Sequence, residues 1–412
     1  MFFSKADLIS SIKMPSIVDK FPKCKLCKLY KTCLSPKMPP SGEGKLGILI
    51  VAEAPGEEED RRNIQLVGKV GRWFRSFLFD YDLSLDQHFW KTNAIACRPP
   101  KNRTPTNNEI SYCRPNVLKA IKDYKPKVIL LLGEVALNSV IGNRWKKDIG
   151  SISRWRGFGI PDYGAWVVPM YHPSYVMRNE DYNPAVEKIF RRDFEFALDL
   201  LSYEPKVETP KINCIYNEEG AIKVMRQILR LARDRKLLLA FDYETTGIKP
   251  HNEGHSIRCV SLSYGYNDNY SFLFYTSERF LQCYRKIMLH PNIYKTAHNM
   301  KFEDTWTKVI LGYRPVNWVW DTMLNSHILD NRSGINSLKF QSYIHFGIVG
   351  YDEDISEYLK SSGSANSKNR VYEAPVPKLL LYCGMDSALQ YRLAIMQMKA
   401  LNSPILKGVG LC

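Results

Sequence analysis

The sequence of 412 residues lacks any run of about eighteen apolar residues, the length that a helix needs to cross a bilayer. Its opening segment, MFFSKADLISSIK, lacks the long apolar stretch of a secretory signal peptide. Internal repeats are also absent from the sequence. These absences argue against a membrane-spanning or repeat protein and predict a cytoplasmic protein without a membrane partner.

Acidic residues are scarce relative to basic ones. The chain has 42 Asp and Glu against 58 Lys and Arg, which gives a formal net charge of +16, and both halves carry the excess. A uniform positive excess fits a phosphate-rich partner that contacts both halves. A solvated basic surface would have the same composition, so charge alone does not decide between them.

Length and composition predict two folded domains. A chain of 412 residues exceeds one ordinary core, and 45% hydrophobic with 24% charged residues argues against disorder. The segment SYEPKVETPKIN has two prolines and little apolar periodicity. It predicts a linker at 205–212 between a first domain at 1–204 and a second at 213–412.

Both domains are predicted to be α/β. In the first domain, predicted strands alternate with helices; the strands lie at 46–51, 128–132 and 166–169, and the helices at 117–124 and 187–201. In the second domain, the predicted elements are a helix at 218–234, a buried strand at 237–241 and a hairpin that turns at 267–269. Helices are expected to dominate the remainder.

The second domain carries acidic side chains at the spacing of a two-metal nuclease. The positions are Asp242, Glu244, Glu303, Asp304 and Asp386, together with Tyr382. Two carboxylates two residues apart on a strand point to the same face, and Tyr382 and Asp386 lie one helical turn apart. Such a set can hold two divalent ions that activate water and stabilise the leaving oxygen of a phosphodiester. A lone Asp-x-Glu is usually a solvated strand end, but three segments in this order favour the nuclease.

From about residue 210 to 400 the chain resembles the proofreading 3′–5′ exonuclease domain of family A DNA polymerases. FDYETTG is similar to the first motif, HNMKFED to the second, YCGMD to the tyrosine-containing third, and WDTMLNSHIL to the segment between the last two. The resemblance implies a ribonuclease H-like α/β fold, two Mg²⁺ or Mn²⁺ ions, and single-stranded 3′ ends as substrate.

The same resemblance implies roles for individual residues. Asp242, Glu244 and Asp386 would bind metal, and Tyr382 would orient the attacking water. In the second motif, Asn299 would contact nucleic acid. The family's carboxylate lies four residues after this Asn, where the chain has Glu303 in place of the usual Asp. Spacing favours Glu303, with Asp304 as the alternative.

The ten cysteines are not evenly spaced, and four in the first domain form two separated pairs. Cys24 and Cys27 form a C-x2-C pair, and Cys97 and Cys113 lie farther along. Four thiolates of this kind could bind zinc or an iron–sulfur cluster, and spacing alone does not choose. Free thiols are the alternative, because a disulfide framework is not expected in an intracellular chain of this size.

From about residue 20 to 200 the chain resembles the family 4 uracil-DNA glycosylases, which contain a [4Fe–4S] cluster. The segments that carry the resemblance are CKLC, VAEAPGEEED, LVGKVG, NAIACRPPKNRTPT, the cysteine of YCRP, and YHPSYVMR. It implies a parallel-sheet α/β domain in which Cys24, Cys27, Cys97 and Cys113 ligate a structural cluster. Cys33 would be a spare thiol.

A glycosylase must flip its target base out of the stack and read the exposed edge. Asn93 offers an amide to a pyrimidine edge, and His172, in an HPS loop with Pro173 and Ser174, can stabilise negative charge on the leaving base. Glu59 is a candidate for orienting water or stabilising the sugar, and Glu53 is the second candidate. The predicted partner is DNA that contains uracil or a modified pyrimidine.

Leu66 departs from the glycosylase pattern. The family has a Phe that stacks on the flipped uracil, and this chain has Leu66 at that position; Ala52 also replaces the family's Gly. Base–aromatic stacking is worth about 1–3 kcal/mol, so retention of the flipped base should fall. Binding without efficient excision is therefore an alternative function for this domain.

A glycosylase-like domain in front of a family A exonuclease resembles the N-terminal part of certain bacteriophage DNA polymerases. No polymerase palm or fingers follows, so a polymerase domain or subunit is expected as a partner, in a bacterial or phage-infected cell. The leading prediction is a DNA-processing enzyme with nuclease and glycosylase domains. In the first alternative the glycosylase-like domain only senses the base, and in the second both domains are inert scaffolding.

Overall fold

The computed structural model describes residues 21–361, 363 and 366–409. The described residues form two compact units: 21–207 with 343–350, and 208–342 with the described residues between 351 and 409. Both units are α/β, as predicted. None of the described helices is long and apolar enough to cross a membrane.

The first unit is built on a five-stranded sheet in the order β2-β1-β3-β5-β4, parallel except for β4. Its strands are β1 (Ile48–Ala52), β2 (Phe89–Asn93), β3 (Val128–Leu132), β4 (Ile160–Asp162) and β5 (Ala165–Met170). Its helices are α1 (Cys24–Cys27), α2 (Glu57–Arg62), α3 (Lys69–Phe79), α4 (Leu85–His88), α5 (Asn107–Tyr124), α6 (Glu134–Arg144), α7 (Ile152–Trp155), α8 (Pro173–Asn179) and α9 (Ala185–Asp199). Every residue of β1 and β3 is buried, as expected for parallel strands covered on both faces.

The second unit is built on a six-stranded mixed sheet in the order β11-β10-β7-β8-β9-β6. Its strands are β6 (Asn213–Ile215), β7 (Leu237–Thr245), β8 (Ile257–Ser263), β9 (Asn269–Leu273), β10 (Ile293–Ala297) and β11 (Trp318–Asp321). The helices that follow the first unit are α10 (Glu218–Asp234), α11 (Glu278–Met288), α12 (Met300–Leu311), α13 (Thr322–Leu329), α14 (Leu338–Phe346), α15 (Ser356–Leu359), α16 (Val376–Ala400) and α17 (Ile405–Gly408). Strands β7 and β8 pair antiparallel, whereas β7 and β10 pair parallel.

Two elements are longer than the sequence pattern predicted. Strand β7 continues past the apolar run to Thr245, because β8 pairs with it as far as that residue. Helix α5 begins at Asn107, ten residues before the predicted start. Thr106 and Glu109 form a capping box there, a signal that was readable in the sequence.

Strand β10 buries Lys295 completely, and its ammonium lies 3.4 Å from the carbonyl oxygen of His290. Burial lowers the pKa of Lys295 to about 7. Between pH 7 and the usual lysine pKa, the unfolded chain therefore binds one more proton than the native protein. The stability contributed at this site rises with pH across that window.

We expect Lys295→Met to raise the free energy of unfolding at pH 7 by about 4 kcal/mol. The pKa falls from 10.5 to about 7, each pKa unit corresponds to about 1.4 kcal/mol, and half of the native lysines are already neutral at pH 7. The gain should shrink at pH 9, where the native lysine is already neutral. Urea unfolding at both pH values measures it, with the exposed Lys308→Met as the matched control. An equal gain at pH 7 and pH 9 would contradict the electrostatic explanation.

Candidate active sites

Carboxylates from three elements of the second unit converge. Strand β7 supplies Asp242 and Glu244, helix α12 supplies Glu303, and helix α16 supplies Asp386. Ligand atoms of Asp242, Glu244 and the neighbouring Cys383 all lie within 4.8 Å of one another. The sequence analysis predicted that the carboxylates lie together, but it did not predict that the Cys383 thiol lies among them.

Burial and mutual repulsion dominate the electrostatics of this cluster. Burial raises the pKa of Asp242 well above its usual range, and Asp386 raises it further. Burial followed by the charge of Asp242 likewise raises the pKa values of Glu244 and Glu303. Oxygen Oε2 of Glu303 is buried with no hydrogen-bond partner in the described part of the chain. A divalent cation relieves this kind of repulsion, so the donor set fits a Mg²⁺ or Mn²⁺ site.

Asp386 is held by two residues that the sequence analysis missed. The ammonium of Lys339 contacts both of its carboxylate oxygens, at 2.7 Å for Oδ2, and donates to the hydroxyl of Tyr382 at 3.0 Å. The hydroxyl of Tyr351 donates to Oδ1 at 2.6 Å. Lys339 precedes Asp386 by 47 residues, so no local periodicity links them.

The two neighbouring acids of the second motif have different surroundings. Glu303 is 3% exposed, and the charges of Asp242 and Asp386 influence it. Asp304 instead forms a salt bridge with Arg314 and accepts a hydrogen bond from the indole of Trp318 at 3.2 Å. The structure therefore brings Glu303, and not Asp304, to the other carboxylates.

Asn299 precedes α12 with a left-handed backbone, φ 72°. The backbone N–H groups of Asn299 and Met300 donate to the carboxylate of Asp321 at 3.1 and 2.9 Å. Asp321 also caps α13 by accepting from the N–H groups of Met323 and Leu324. This single buried carboxylate thus ties the second motif to the segment that follows it.

A cavity of about 180 Å³ opens beside the carboxylates. Glu244 and Phe302 lie on its wall, together with Ser367 and Asn369. The side chain of Asn369 donates to the carbonyl of Thr245 at 2.9 Å, which fixes that wall against β7. Of the clustered carboxylates, Glu244 is the one that lines this cavity.

In the first unit, three candidate residues lie at the carboxyl edge of the parallel sheet. Glu53 follows β1, Asn93 ends β2, and His172 comes two residues after β5. Ala52 and Asn93 are register partners, so the first two positions are neighbours. Burial raises the pKa of the Glu53 carboxyl, and Arg178 partly opposes this. Ligands bind at this edge in open α/β sheets.

His172 is the N-cap of α8. Its Nδ1 accepts from the backbone N–H of Ser174 at 3.2 Å and lies 2.8 Å from the Ser174 hydroxyl, while Pro173 is the buried first residue of the helix. Because Nδ1 accepts, the ring proton is on Nε2. Burial lowers the pKa of His172 to about 4, so the imidazole is neutral at pH 7 and can donate a hydrogen bond from Nε2.

Glu59 lies in α2, and its carboxylate accepts from the backbone N–H groups of Val67 at 3.1 Å and Gly68 at 2.8 Å. It therefore holds the loop that carries Leu66. Leu66 is 8% exposed, belongs to the same buried cluster as Ala52, and has a left-handed backbone with φ 52°. Both bonds are accepted by Oε1, and a catalytic role for Glu59 stays a prediction.

Cys24, Cys27, Cys97 and Cys113 line one cavity, as the two-pair pattern predicted they could. The backbone N–H of Lys37 donates to the Cys97 sulfur at 3.2 Å, and that of Ala96 to the Cys113 sulfur at 3.3 Å. Hydrogen bonds of this kind are typical around thiolates that hold a metal or cluster. Cys33 lies beside Cys97 and hydrogen-bonds its thiol.

Comparison with known proteins assigns each unit to a class. Residues 39–195 match the model of the uracil DNA glycosylase superfamily, and residues 215–398 match that of the 3′–5′ exonuclease domain of family A polymerases. The type-4 uracil-DNA glycosylase of Saccharolobus solfataricus is 32% identical over 193 residues, covering 46% of this chain and 87% of that protein. The Thermotoga maritima enzyme is 32% identical over 194 residues, covering 46% of this chain and 96% of that protein.

One relative matches both units. A DNA polymerase of Bacillus phage SP01 is 24% identical over an alignment of 397 positions, and the alignment covers 86% of this chain. The match spans 40% of the length of that polymerase.

Proposed function

The chain belongs to the type-4 uracil-DNA glycosylase family through its first half and carries a 3′–5′ exonuclease domain in its second, and from this premise we propose that it shortens DNA from the 3′ end while its first domain recognises uracil or a modified pyrimidine. One observation carries the nuclease proposal. Four carboxylates from a strand and two helices, the half-buried Asp242 and three buried ones, meet beside Tyr382 and a cavity.

Asp242, Glu244, Glu303 and Asp386 would hold two Mg²⁺ or Mn²⁺ ions. When bound, the ions supply water activation and stabilisation of the leaving oxygen. The Tyr382 hydroxyl, fixed by its contact with the Lys339 ammonium, orients the attacking water. The cavity beside Glu244 accommodates the terminal nucleotide. Asn299, the residue before α12, is a further DNA contact in this proposal.

In the first domain, the neutral imidazole of His172 donates from Nε2 to a pyrimidine oxygen, and Asn93 reads the base edge. Ser174 holds the imidazole in place, and Pro173 begins the helix that His172 caps. Glu59 is the first candidate acid for orienting water or stabilising the sugar, although its Oε1 also holds the Leu66 loop. Glu53, half-buried at the same edge as Asn93 and His172, is the second candidate.

A [4Fe–4S] cluster on Cys24, Cys27, Cys97 and Cys113 is part of the proposal. Their shared cavity and the N–H···S hydrogen bonds support it. The cluster would be structural, tying the segment with the first pair to α5 and the loop before it. A DNA polymerase domain or subunit in a bacterial or phage-infected cytoplasm is the proposed partner, supported by the phage relative.

The decisive experiment offers a uracil-containing single strand first with EDTA and then with Mg²⁺. Formation of abasic sites in EDTA reports the glycosylase, and shortening from the 3′ end with Mg²⁺ reports the nuclease. Absence of shortening with either Mg²⁺ or Mn²⁺ would overturn the nuclease proposal.

The second candidate function for the first domain is base sensing without excision, and Leu66 favours it. A buried leucine stands where a ring would stack on the flipped base. We expect weak or no excision by the wild type, and at least about tenfold faster excision by Leu66→Phe, because stacking is worth about 1–3 kcal/mol. Single-turnover excision measures the rate, and thermal unfolding measures whether the larger ring disturbs the buried cluster.

Two results would contradict this stacking argument. Rapid excision by the wild type with no change in Leu66→Phe would mean that the ring is not needed. If neither protein excises any pyrimidine but both prefer uracil-containing DNA in binding, the domain is a sensor for reasons other than stacking.

A further inference from the structure

Cys383 lies inside the acidic cluster of the second unit. It follows Tyr382 on α16 and is fully buried. Its sulfur is 3.8 Å from Oδ2 of Asp242 and 3.5 Å from the Asp242 carbonyl oxygen. Within the described residues, Asp242, Glu244 and Cys383 are the one group of three with ligand atoms close enough to share an ion.

The backbone of α16 holds this thiol in place. The carbonyl oxygen of Cys383 accepts from the Ser261 hydroxyl on β8 at 2.7 Å. A side chain on the next residue, Gly384, would approach Ile212 to 2.2 Å, so the helix lies close on the sheet there. Cys259, opposite Glu244 on β8, hydrogen-bonds the Cys383 thiol from behind. The sulfur is thereby kept next to Asp242.

Two carboxylates and one thiol form a mixed donor set. Mg²⁺ is a hard ion that coordinates oxygen and is not expected to bind the sulfur. Zn²⁺, Co²⁺ and Cd²⁺ accept thiolate together with carboxylate, with a Zn–S bond of about 2.3 Å. The sulfur therefore distinguishes two classes of ion at one site.

We propose that Cys383 is a metal ligand that lets the nuclease site bind thiophilic divalent ions through sulfur, with Asp242 and Glu244 as the oxygen donors. On binding, the S–H proton leaves to solvent and a metal–sulfur bond forms, without a change of oxidation state. The inference rests on the proposed function, because it takes Asp242 and Glu244 as metal carboxylates. One consequence is that Zn²⁺ or Cd²⁺ should compete with Mg²⁺ for the site.

The test uses Co²⁺ as the probe on the full anaerobic chain with its cluster. A Co–thiolate bond has a charge-transfer band in the near ultraviolet, read as a difference spectrum against the ion-free protein. We expect the band to saturate at one ion per chain in the wild type and in Cys283→Ser, a buried cysteine on α11. Cys383→Ser should lose the band, and its affinity for Cd²⁺ should fall by at least about tenfold, as when a metal-site partner is removed.

Other outcomes overturn the proposal. A band that persists in Cys383→Ser places cobalt on other cysteines, and a wild type without the band leaves Cys383 as a hydrogen-bond donor to Asp242 only. If Cys383→Ser fails to fold, Cys383→Ala replaces it. Cobalt X-ray absorption of the wild type tests the proposal without either variant. Binding at Cys383 predicts one sulfur at about 2.3 Å from the cobalt, whereas binding at the four-cysteine site would show several sulfurs.

The nuclease proposal fails separately from this one. Shortening of a 3′ end with Mg²⁺ tests the nuclease without using the sulfur. A wild type that binds Co²⁺ through Cys383 but never shortens DNA would retain the metal site and lose the function. Shortening of DNA by a wild type without any cobalt–sulfur band would retain the nuclease function and overturn the Cys383 metal site.

Discussion

Asp242→Ala is expected to abolish shortening of DNA from the 3′ end, with a loss of at least about 10³-fold, or about 4 kcal/mol of transition-state stabilisation. The substitution removes the carboxylate at the centre of the cluster, which the charges of Asp386 and Lys339 both influence. Asp386→Ala should have the same effect. Release of terminal nucleotides under single-turnover conditions with Mg²⁺ measures it, and circular dichroism checks the fold.

The matched control lies in the second motif. Glu303→Gln should lose nuclease activity as Asp242→Ala does, because Glu303 faces the cluster. The activity of Asp304→Asn should stay within about threefold of the wild type, since the partners of this acid are Arg314 and Trp318 and not the carboxylate cluster. Metal-dependent shortening by an Asp242→Ala, Asp386→Ala double variant would remove the nuclease assignment. Loss of nuclease activity in Asp304→Asn but not in Glu303→Gln would mean that Asp304, and not Glu303, is the metal ligand of the second motif.

Cys97→Ser is expected to remove almost all iron from the protein, whereas the wild type made anaerobically should be brown and carry about four irons per chain. Cys97 lines the four-cysteine cavity and accepts the N–H of Lys37. Cluster ligation stabilises the fold, so the first unit should also unfold at a lower temperature. Iron analysis, visible absorbance and thermal unfolding measure these effects.

Cys33→Ser is the control for this prediction, because Cys33 neighbours Cys97 but belongs to neither cysteine pair. It should keep its iron. If the anaerobic wild type contains stoichiometric zinc and has no broad visible absorbance, the cluster prediction is wrong and the four cysteines form a zinc site. Equal loss of iron in both variants would mean that Cys33 is itself a ligand.

Local pattern was enough to predict the α/β class and much of the acidic cluster. Asp242 and Glu244 share a face because side chains alternate along a strand, and Tyr382 and Asp386 share a face because they are one helical turn apart. Buried strands such as β3 were readable as continuous apolar runs. These features depend on residues near one another in sequence, so the periodicity of the sequence is enough to predict them.

Tertiary structure decided which side chains meet across long separations. The direction in which α12 leaves the sheet turns Glu303 to the cluster and Asp304 to Arg314, although the two are adjacent in sequence. Only packing brings Lys339 to Asp386 and Cys383 to Asp242.

The same distinction applies to the first unit. The sequence by itself singled out Glu59 as an acid in the right motif, but only the fold showed that two backbone N–H groups of the Leu66 loop donate to its Oε1. The physical reason is general to the molecule. Residue type and spacing determine what chemistry a segment can offer, whereas the partners of a buried charge depend on which distant elements are packed against it.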